Sequence, residues 1–304
     1  MAFDNNIIWM YNVIGKCRLH KEAFEMSNCE NCPTKENCKT KEGCMIENNP
    51  YNFVNKIIGV MSGKGGVGKS TVSALIAEEL NKKGYKVGVL DADITGPSIP
   101  RLLKVKDKKV RSNELGILPV TNENGIKVMS LNLLMEDEEQ PVIWRGPLIA
   151  GTVKQFWTDV FWGDLDYLVI DMPPGTGDVA LTVIQSIPIN GIVMVSVPQD
   201  LVSMIVAKAV NMVRKMDIRV IGIVENMSYI ICPDCNKKIR IFDSENTEGF
   251  LSKLDLKLLG ELPMCSDIAN LSEKDKTIQN ASLDETVSNI VERIMLSVNE
   301  NYLI

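Results

Sequence analysis

The sequence predicts an α/β fold in which helices cover both faces of a mostly parallel sheet, with a small cysteine-rich appendage at the N-terminus. From residue 56 onward, short β-branched runs alternate with helical patterns, as is typical of parallel sheets. A glycine-rich phosphate-binding motif lies between the first apolar run and the first helical pattern. Five of the eight cysteines fall within the first 50 residues. We therefore divide the chain into a metal-binding appendage with its linker, residues 1–50, and an α/β domain, residues 51–304.

The elements of the domain follow one another in a regular order. Strands are expected at Ile57–Met61, Lys86–Leu90, Lys127–Leu131, Tyr167–Ile170, Ile192–Val197 and Val220–Val224. Helices are expected at Ser73–Lys83 and at residues 146–160, 177–187 and 200–216. The charged, weakly periodic stretch Lys104–Asn124 is expected to be a surface excursion. A short hairpin is expected near residues 229–242, because a cysteine-containing turn there is followed by polar and apolar residues in alternation.

Composition restricts the classes of function. The hydrophobic fraction of 45% and the charged fraction of 24% are ordinary for a soluble globular protein. A formal net charge of −6 argues against binding nucleic acid through phosphate neutralisation. No apolar run approaches the roughly 20 residues that span a bilayer, and the start of the chain lacks the basic region of a signal peptide. We expect a cytoplasmic protein that binds neither nucleic acid nor membrane.

The stretch GKGGVGKST is a complete phosphate-binding loop. Glycines let several backbone N–H groups point at one anion, and the helix that begins near Lys69 adds the positive end of its dipole. Lys69 is expected to neutralise the β- and γ-phosphates of ATP, and the Ser70 hydroxyl to ligate Mg²⁺. The nine residues assigned to nucleotide binding are Gly63, Lys64, Gly65, Gly66, Val67, Gly68, Lys69, Ser70 and Thr71. The motif predicts a P-loop NTPase.

Acidic residues at strand ends complete the predicted nucleotide site. Ligands of open α/β sheets lie at the carboxyl ends of the strands. Asp171 closes an apolar strand and is expected to hold Mg²⁺ together with Ser70. Asp93 lies past the end of the second strand and is the better candidate to orient the attacking water. Gly175 would let the following loop move its backbone against the γ-phosphate. The expected reaction is the hydrolysis of ATP to ADP and phosphate, with Lys69 and Asp93 as catalytic residues.

Four further motifs give the chain a resemblance to a known family. The motifs are WRGP at Trp144–Pro147, WGDLDYLVIDMPPGTGD at Trp162–Asp178, PQD at Pro198–Asp200 and ENMSY at Glu225–Tyr229. Together with the loop they resemble the Mrp/ApbC family of iron-sulfur cluster carrier ATPases, over roughly residues 55–270. The resemblance implies an ATPase that assembles [4Fe–4S] clusters and transfers them to apoproteins.

The same resemblance implies two residue roles. The loop belongs to the deviant class shared with MinD and ParA, in which the extra lysine, here Lys64, reaches across a homodimer interface to the nucleotide of the other subunit. Such a lysine would stabilise the charge that develops during phosphoryl transfer, and so it is a third catalytic candidate. By the family pattern, Asn226 would contact adenine.

Cys232 and Cys235 form a C-x-x-C motif in the expected hairpin. Two thiolates can hold one metal centre from a tight turn, but a four-coordinate centre needs four ligands. A second subunit could supply the other pair around a two-fold axis. The resemblance implies a [4Fe–4S] cluster that bridges the two subunits here. A zinc knuckle and a redox dithiol are the alternatives.

The remaining cysteines pose a separate question. Cytoplasmic cysteines at metal-ligand spacing indicate metal or redox chemistry rather than disulfides. The candidate ligands of a cluster in the appendage, four of five, are Cys17, Cys29, Cys32, Cys38 and Cys44. His20 leaves zinc as an alternative, held by this histidine with Cys17, Cys29 and Cys32. Cys265 is expected to be a buried small hydrophobe.

Two other functions fit the loop. A MinD- or ParA-like positioning ATPase needs a basic amphipathic tail for lipid or a basic face for DNA. The final segment, residues 284–304, contains one arginine, no lysine and four acidic residues, so anionic lipid would repel it. The other alternative is a P-loop ATPase with structural zinc. We expect the cluster carrier, acting as a homodimer on apo iron-sulfur proteins.

Overall fold

A computed structural model of the protein describes residues 48–93, 96, 98–135, 146–201, 204–235, 237–240, 247–273 and 280–299. The predicted ligands of the appendage, Cys17, Cys29, Cys32, Cys38, Cys44 and His20, lie outside the described residues. The same holds for Trp144 and Arg145 of the WRGP motif.

The strands and helices follow in chain order. The strands are β1 (Phe53–Ser62), β2 (Val87–Asp91), β3 (Arg111–Asn113), β4 (Gly116–Leu118), β5 (Val120–Thr121), β6 (Lys127–Met129), β7 (Asp164–Asp171), β8 (Gly191–Ser196), β9 (Val220–Ile231), β10 (Lys238–Ile239) and β11 (Leu258–Pro263). The helices are α1 (Lys69–Lys82), α2 (Ile99–Leu102), α3 (Gly146–Thr158), α4 (Asp178–Ser186), α5 (Pro198–Leu201), α6 (Met204–Lys215), α7 (Thr247–Lys253), α8 (Ser266–Ala269) and α9 (Ala281–Asn299), with a 3₁₀ turn at Leu131–Leu133.

The main sheet contains nine strands within the described residues. Their order is β10-β9-β8-β1-β7-β2-β6-β5, and β11 also pairs with β9. All of these neighbours pair in parallel except β10 with β9 and β5 with β6. Since parallel strands end at the same edge, the ends of β1, β7 and β2 bring the phosphate loop and two acidic residues together. The predicted mostly parallel sheet is confirmed.

Burial explains why the central strands are so apolar. The last six residues of β1 and every residue of β2 and β8 are buried, as expected for strands that helices cover on both faces. Helix α1 packs on this sheet with Val72, Leu75 and Ile76. No helix in the described part of the chain combines the length and the apolar character that a bilayer span would require.

Two features at the periphery differ from expectation. The stretch 104–124 is not merely a surface excursion, because β3 and β4 form a hairpin and β5 joins the main sheet through β6. Val105, Ile117 and Val120 are buried there. Isolated apolar residues between charges carry no visible period, so the sequence pattern concealed this packing. Helix α9 and strand β11 were not anticipated, although α9 buries apolar side chains at regular helical spacing.

Candidate functional site

The phosphate loop connects the buried end of β1 to the first turn of α1. Gly66 and Gly68 adopt left-handed backbone conformations, with φ of 80° and 81°. An added Cβ at Gly65 or Gly66 would meet no atom within 4 Å, so the loop is open beside both residues. Successive backbone amides in such a turn form a concave anion site, and the N-terminus of α1 adds its dipole. The loop therefore fits the phosphates of a nucleotide.

Lys69 and Asp171 lie at the base of this loop. The Lys69 Nζ is 2.8 Å from Oδ2 of the fully buried Asp171 and 3.5 Å from Oδ2 of Asp93. The Ser70 hydroxyl donates to Asp171 Oδ2 at 2.6 Å, and the Ser73 hydroxyl donates to Asp171 Oδ1 at 2.7 Å. Hydroxyl and carboxylate oxygens are the ligands that Mg²⁺ prefers. The structure thus brings together Ser70 and Asp171, the two residues predicted to hold Mg²⁺.

Asp91 is a further buried acid beside Lys69 and Asp171, and the sequence analysis predicts no role for it. It pairs in register with Asp171 across β2 and β7. Its carboxylate accepts hydrogen bonds from the Ser130 hydroxyl at 3.0 Å and from the Asp93 backbone N–H at 3.1 Å. Burial and the nearby Asp171 raise the pKa of Asp91 well above its usual range, against the opposing charge of Lys69. Asp91 therefore holds the turn that places Asp93, and the strand-closing sequence LDAD was the signal for it.

The second glycine-rich loop, which follows β7, touches the first. Gly175 has a φ of 79°, and its N–H donates to the Ser62 carbonyl at 2.9 Å. The Ser62 hydroxyl donates to the carbonyl of Lys64 at 2.9 Å. Lys64 itself is exposed on the loop, Val67 is buried and Thr71 is half-buried. Gly63 packs against α6, where an added Cβ would lie 2.8 Å from the Ile205 side chain.

Asn226 lies beneath the phosphate loop. Its side chain is 2% exposed, and its Nδ2 donates to the Val67 carbonyl at 3.0 Å. A Cβ at Gly68 would come within 2.1 Å of that Nδ2, so glycine is required at this point both for its backbone and for its lack of a side chain. The adenine contact that the resemblance implies for Asn226 stays a prediction. Its contact with the loop was not foreseen.

The C-x-x-C turn joins β9 to β10. Ile231 and Lys238 pair across the two strands, and the Cys232 N–H donates to the Lys237 carbonyl at 3.0 Å. Cys232 is half-buried and Cys235 is exposed, and neither forms a disulfide. The backbone N–H groups of Cys235 and Asp234, followed by the Cys235 thiol, lower the pKa of the Cys232 thiol. The turn therefore favours the thiolate, which is the metal-binding form.

Other cysteine and metal-ligand predictions can be placed only within the described residues. There, no group of three or more His, Cys, Asp or Glu side chains is arranged to hold a metal ion. Cys265 is half-buried and packs against the hydrophobic core.

Comparison with known proteins finds a matching family and relatives that are named for iron-sulfur clusters. The model of the ParA family described as NUBPL iron-transfer P-loop NTPase matches residues 53–299. The chain is 52% identical to an iron-sulfur cluster carrier protein of Clostridium perfringens, over 74% of this chain and 82% of that protein. It is 43% identical to an iron-sulfur cluster carrier protein of Methanocaldococcus jannaschii, over 89% of this chain and 96% of that protein.

Solved structures share the fold. A nucleotide-binding protein of Archaeoglobus fulgidus in complex with ADP is 42% identical, with a TM-score of 0.65, and the match covers 78% of this chain and 88% of that one. The cell division ATPase MinD of Pyrococcus furiosus has a TM-score of 0.54 over 80% of this chain and 99% of its own. At 20% identity, that second likeness shows the fold alone.

Proposed function

The chain belongs to the NUBPL-type iron-transfer P-loop NTPases of the ParA family, and we propose that it hydrolyses ATP while assembling [4Fe–4S] clusters and delivering them to apoproteins. One observation carries the proposal. Strand β9 contains Asn226, which contacts the phosphate loop, and it ends at Ile231, directly before Cys232 of the thiolate turn. At about 3.3 Å per residue, Asn226 and Cys232 lie at most roughly 20 Å apart along the chain. Nucleotide chemistry and metal binding thus share a structural element.

The nucleotide half of the proposal rests on the loop and its acids. The loop amides and Lys69 would hold the phosphates of ATP, and Ser70 and Asp171 would hold Mg²⁺. Bound ATP supplies a γ-phosphoryl group whose transfer to water releases free energy. Asp93, in the turn held by Asp91, would orient that water. Lys69 is already held at the base of the loop by Asp171, so its charge is in place before nucleotide arrives.

The cluster half rests on the exposed turn. Cys232 and Cys235 supply two thiolates, and two copies of the chain around a two-fold axis would supply the four that a [4Fe–4S] cluster takes. We propose a homodimer of this kind, with Lys64 of each subunit directed toward the nucleotide of the other. The exposed position of Lys64 in the single chain supports this arrangement.

The relatives favour the carrier over a positioning ATPase. The proteins that match at 43–52% identity are named iron-sulfur cluster carriers, whereas MinD matches at 20%. Residues 284–304 contain four acidic residues and one arginine, a charge balance that an anionic membrane would repel.

The test is anaerobic reconstitution of the full chain with iron and sulfide, followed by iron, sulfide and zinc analysis. We compare wild type with the double variant Cys232→Ala/Cys235→Ala and with Cys265→Ala as the matched control. The double variant should lose one cluster per dimer and lose ATP-dependent activation of an apo-[4Fe–4S] acceptor enzyme, while the control retains both. A double variant that retains all of its iron, or a wild type with stoichiometric zinc and no iron, would overturn the proposal.

A further inference from the structure

A bulge in β9 lies between the phosphate loop and the C-x-x-C turn. In the pairing of β9 with β11, Glu225 faces Glu261 and Tyr229 faces Pro263, so three residues of β9 lie opposite one residue of β11. We call residues 226–228 the β9 bulge. Its middle residue, Met227, has a φ of 55°, a left-handed conformation that is strained for a side chain of this kind. Such bulges reorient side chains, and this one directs Asn226 onto the loop.

One end of the β9 bulge is fixed to the nucleotide site. Asn226 Nδ2 donates to the Val67 carbonyl and lies against Gly68, the residue that precedes α1. A backbone shift at Gly68 or Val67 must therefore move Asn226 or break its hydrogen bond. Both residues belong to the loop that would receive the phosphates, where such shifts are expected.

The base of the β9 bulge is closed by a buried hydrogen bond. The Ser228 hydroxyl donates to Glu225 Oε2 at 2.6 Å, and both residues are almost fully buried. Burial raises the pKa of Glu225, and the adjacent Glu261 carboxylate raises it further. Glu225 and Glu261 are paired across β9 and β11, and a side-chain hydrogen bond between them contributes to this rise in pKa.

Glu261 in turn holds the hairpin that carries the cysteines. Its carboxylate accepts two hydrogen bonds from Arg240, at 2.7 and 2.9 Å, and one from Lys238 at 2.8 Å. The Lys238 ammonium also lies 3.7 Å above the ring of Tyr229, which directly follows the bulge. These contacts tie the hairpin to the same two strands that form the bulge.

We propose that the β9 bulge, closed by Ser228 on Glu225 and continued through Glu261, is the link by which the phosphate loop sets the position of the Cys232–Cys235 turn. The role of the turn as a cluster site rests on the proposed function, but the link itself does not. Asn226, Ser228 and Glu261 are positioning residues in this scheme. The bulge is the element with two accessible states, because a strained left-handed residue can revert to extended backbone when its contacts change.

The test measures the reactivity of the turn without any cluster. Full-length apo protein is treated with N-ethylmaleimide with and without saturating Mg²⁺ and AMPPNP, and mass spectrometry gives the alkylation rates of Cys232 and Cys235. In wild type, nucleotide should change these rates by about fivefold or more. In Ser228→Ala and in Glu261→Gln the ratio should fall close to one, while the affinity for fluorescent ADP stays within about twofold of wild type.

Matched controls lie on α9, away from the bulge. Ser288→Ala and Glu292→Gln remove the same chemical groups from surface contacts with Lys83, and both should keep the wild-type ratio. A nucleotide-bound wild type whose cysteine rates do not change would overturn the link, as would variants that retain the full response. Because no cluster is present, these outcomes are independent of the iron analysis that tests the proposed function.

Discussion

Three glycines of the phosphate loop provide a graded test of its geometry. An alanine methyl at Gly65 enters open space, and the backbone there is not left-handed. At Gly66 the space is also open, but φ is 80°. At Gly68 φ is 81° and the methyl would lie 2.1 Å from Asn226 Nδ2. The substitution at Gly65 therefore adds no penalty, and the one at Gly66 adds backbone strain alone. The substitution at Gly68 adds the same strain and also displaces the buried side chain of Asn226.

The expected losses of stability follow from these differences. A left-handed alanine costs about 1–2 kcal/mol, and a less flexible unfolded chain offsets about 0.4–1 kcal/mol of that. Displacing Asn226 leaves the buried Val67 carbonyl and the amide without each other, which costs about 1–3 kcal/mol more. We expect Gly65→Ala to match or slightly exceed wild type, Gly66→Ala to lose about 1 kcal/mol, and Gly68→Ala to lose about 2–4 kcal/mol.

Urea unfolding of the nucleotide-free protein, followed by circular dichroism, measures these differences. At about 2–4 °C per kcal/mol for a chain of this order of size, Gly68→Ala should also melt roughly 4–16 °C below wild type. The order of the three variants is the decisive result. If Gly68→Ala unfolds at the same urea concentration as Gly66→Ala, the contact between Asn226 and the loop contributes nothing to stability, which contradicts this prediction.

Three further measurements test the nucleotide site, the buried Glu225 and the cysteine turn. Asp171→Asn should lower kcat for ATP hydrolysis on the order of 100-fold or more, while Asp164→Asn at the exposed start of the same strand leaves it unchanged; equal rates would contradict the assignment. The fold raises the pKa of Glu225 above its ordinary value near 4.5. The stability that this carboxyl group contributes is therefore fully present below pH 4.5 and is lost as the pH rises through the raised pKa. Glu225→Gln should therefore gain stability relative to wild type in urea titrations as pH rises above about 4.5, and a difference that does not change with pH would refute this. The pH midpoint for iodoacetamide alkylation of Cys232 should lie below that of a peptide spanning residues 225–238, and equal midpoints would remove the case for a thiolate-favouring turn.

The meeting of the phosphate loop with Asp171 was predictable because its determinants are local. The residues from Gly63 to Thr71 are contiguous, and Asp171 ends an apolar strand, so one motif and one strand end specify both. The parallel sheet then brings them together without further information. The turn of Cys232 and Cys235 was predictable for the same reason, since the motif and the alternation after it are adjacent in the chain.

The contacts that connect these parts depend on pairing between distant segments. Asn226 reaches the loop because β9 bulges against β11, a strand that begins 27 residues after the end of β9, from Ile231 to Leu258. Neither the bulge nor the register is marked by a local pattern. The burial of Ile117 similarly depends on hydrogen bonds with Asp159 and Phe161, far along the chain. Periodicity reports on which face of an element is apolar, and it carries no information on such long-range partners.

Strand β9 differs from its neighbour in a way that bears on function. Every residue of β8 is buried, and all but the last, Ser196, are apolar or glycine. At the same depth β9 carries Glu225, Asn226 and Ser228, each 2–3% exposed. Buried polar groups destabilise a fold unless each finds a partner, and an apolar strand would pack as well without that constraint. Asn226 finds its partner in the phosphate loop, and Ser228 donates to Glu225. Glu261, which pairs with Glu225, is held by Lys238 and Arg240 of the hairpin. Because an apolar strand would serve stability alone, the buried polar residues of β9 are better explained by the proposed link between the phosphate loop and the hairpin.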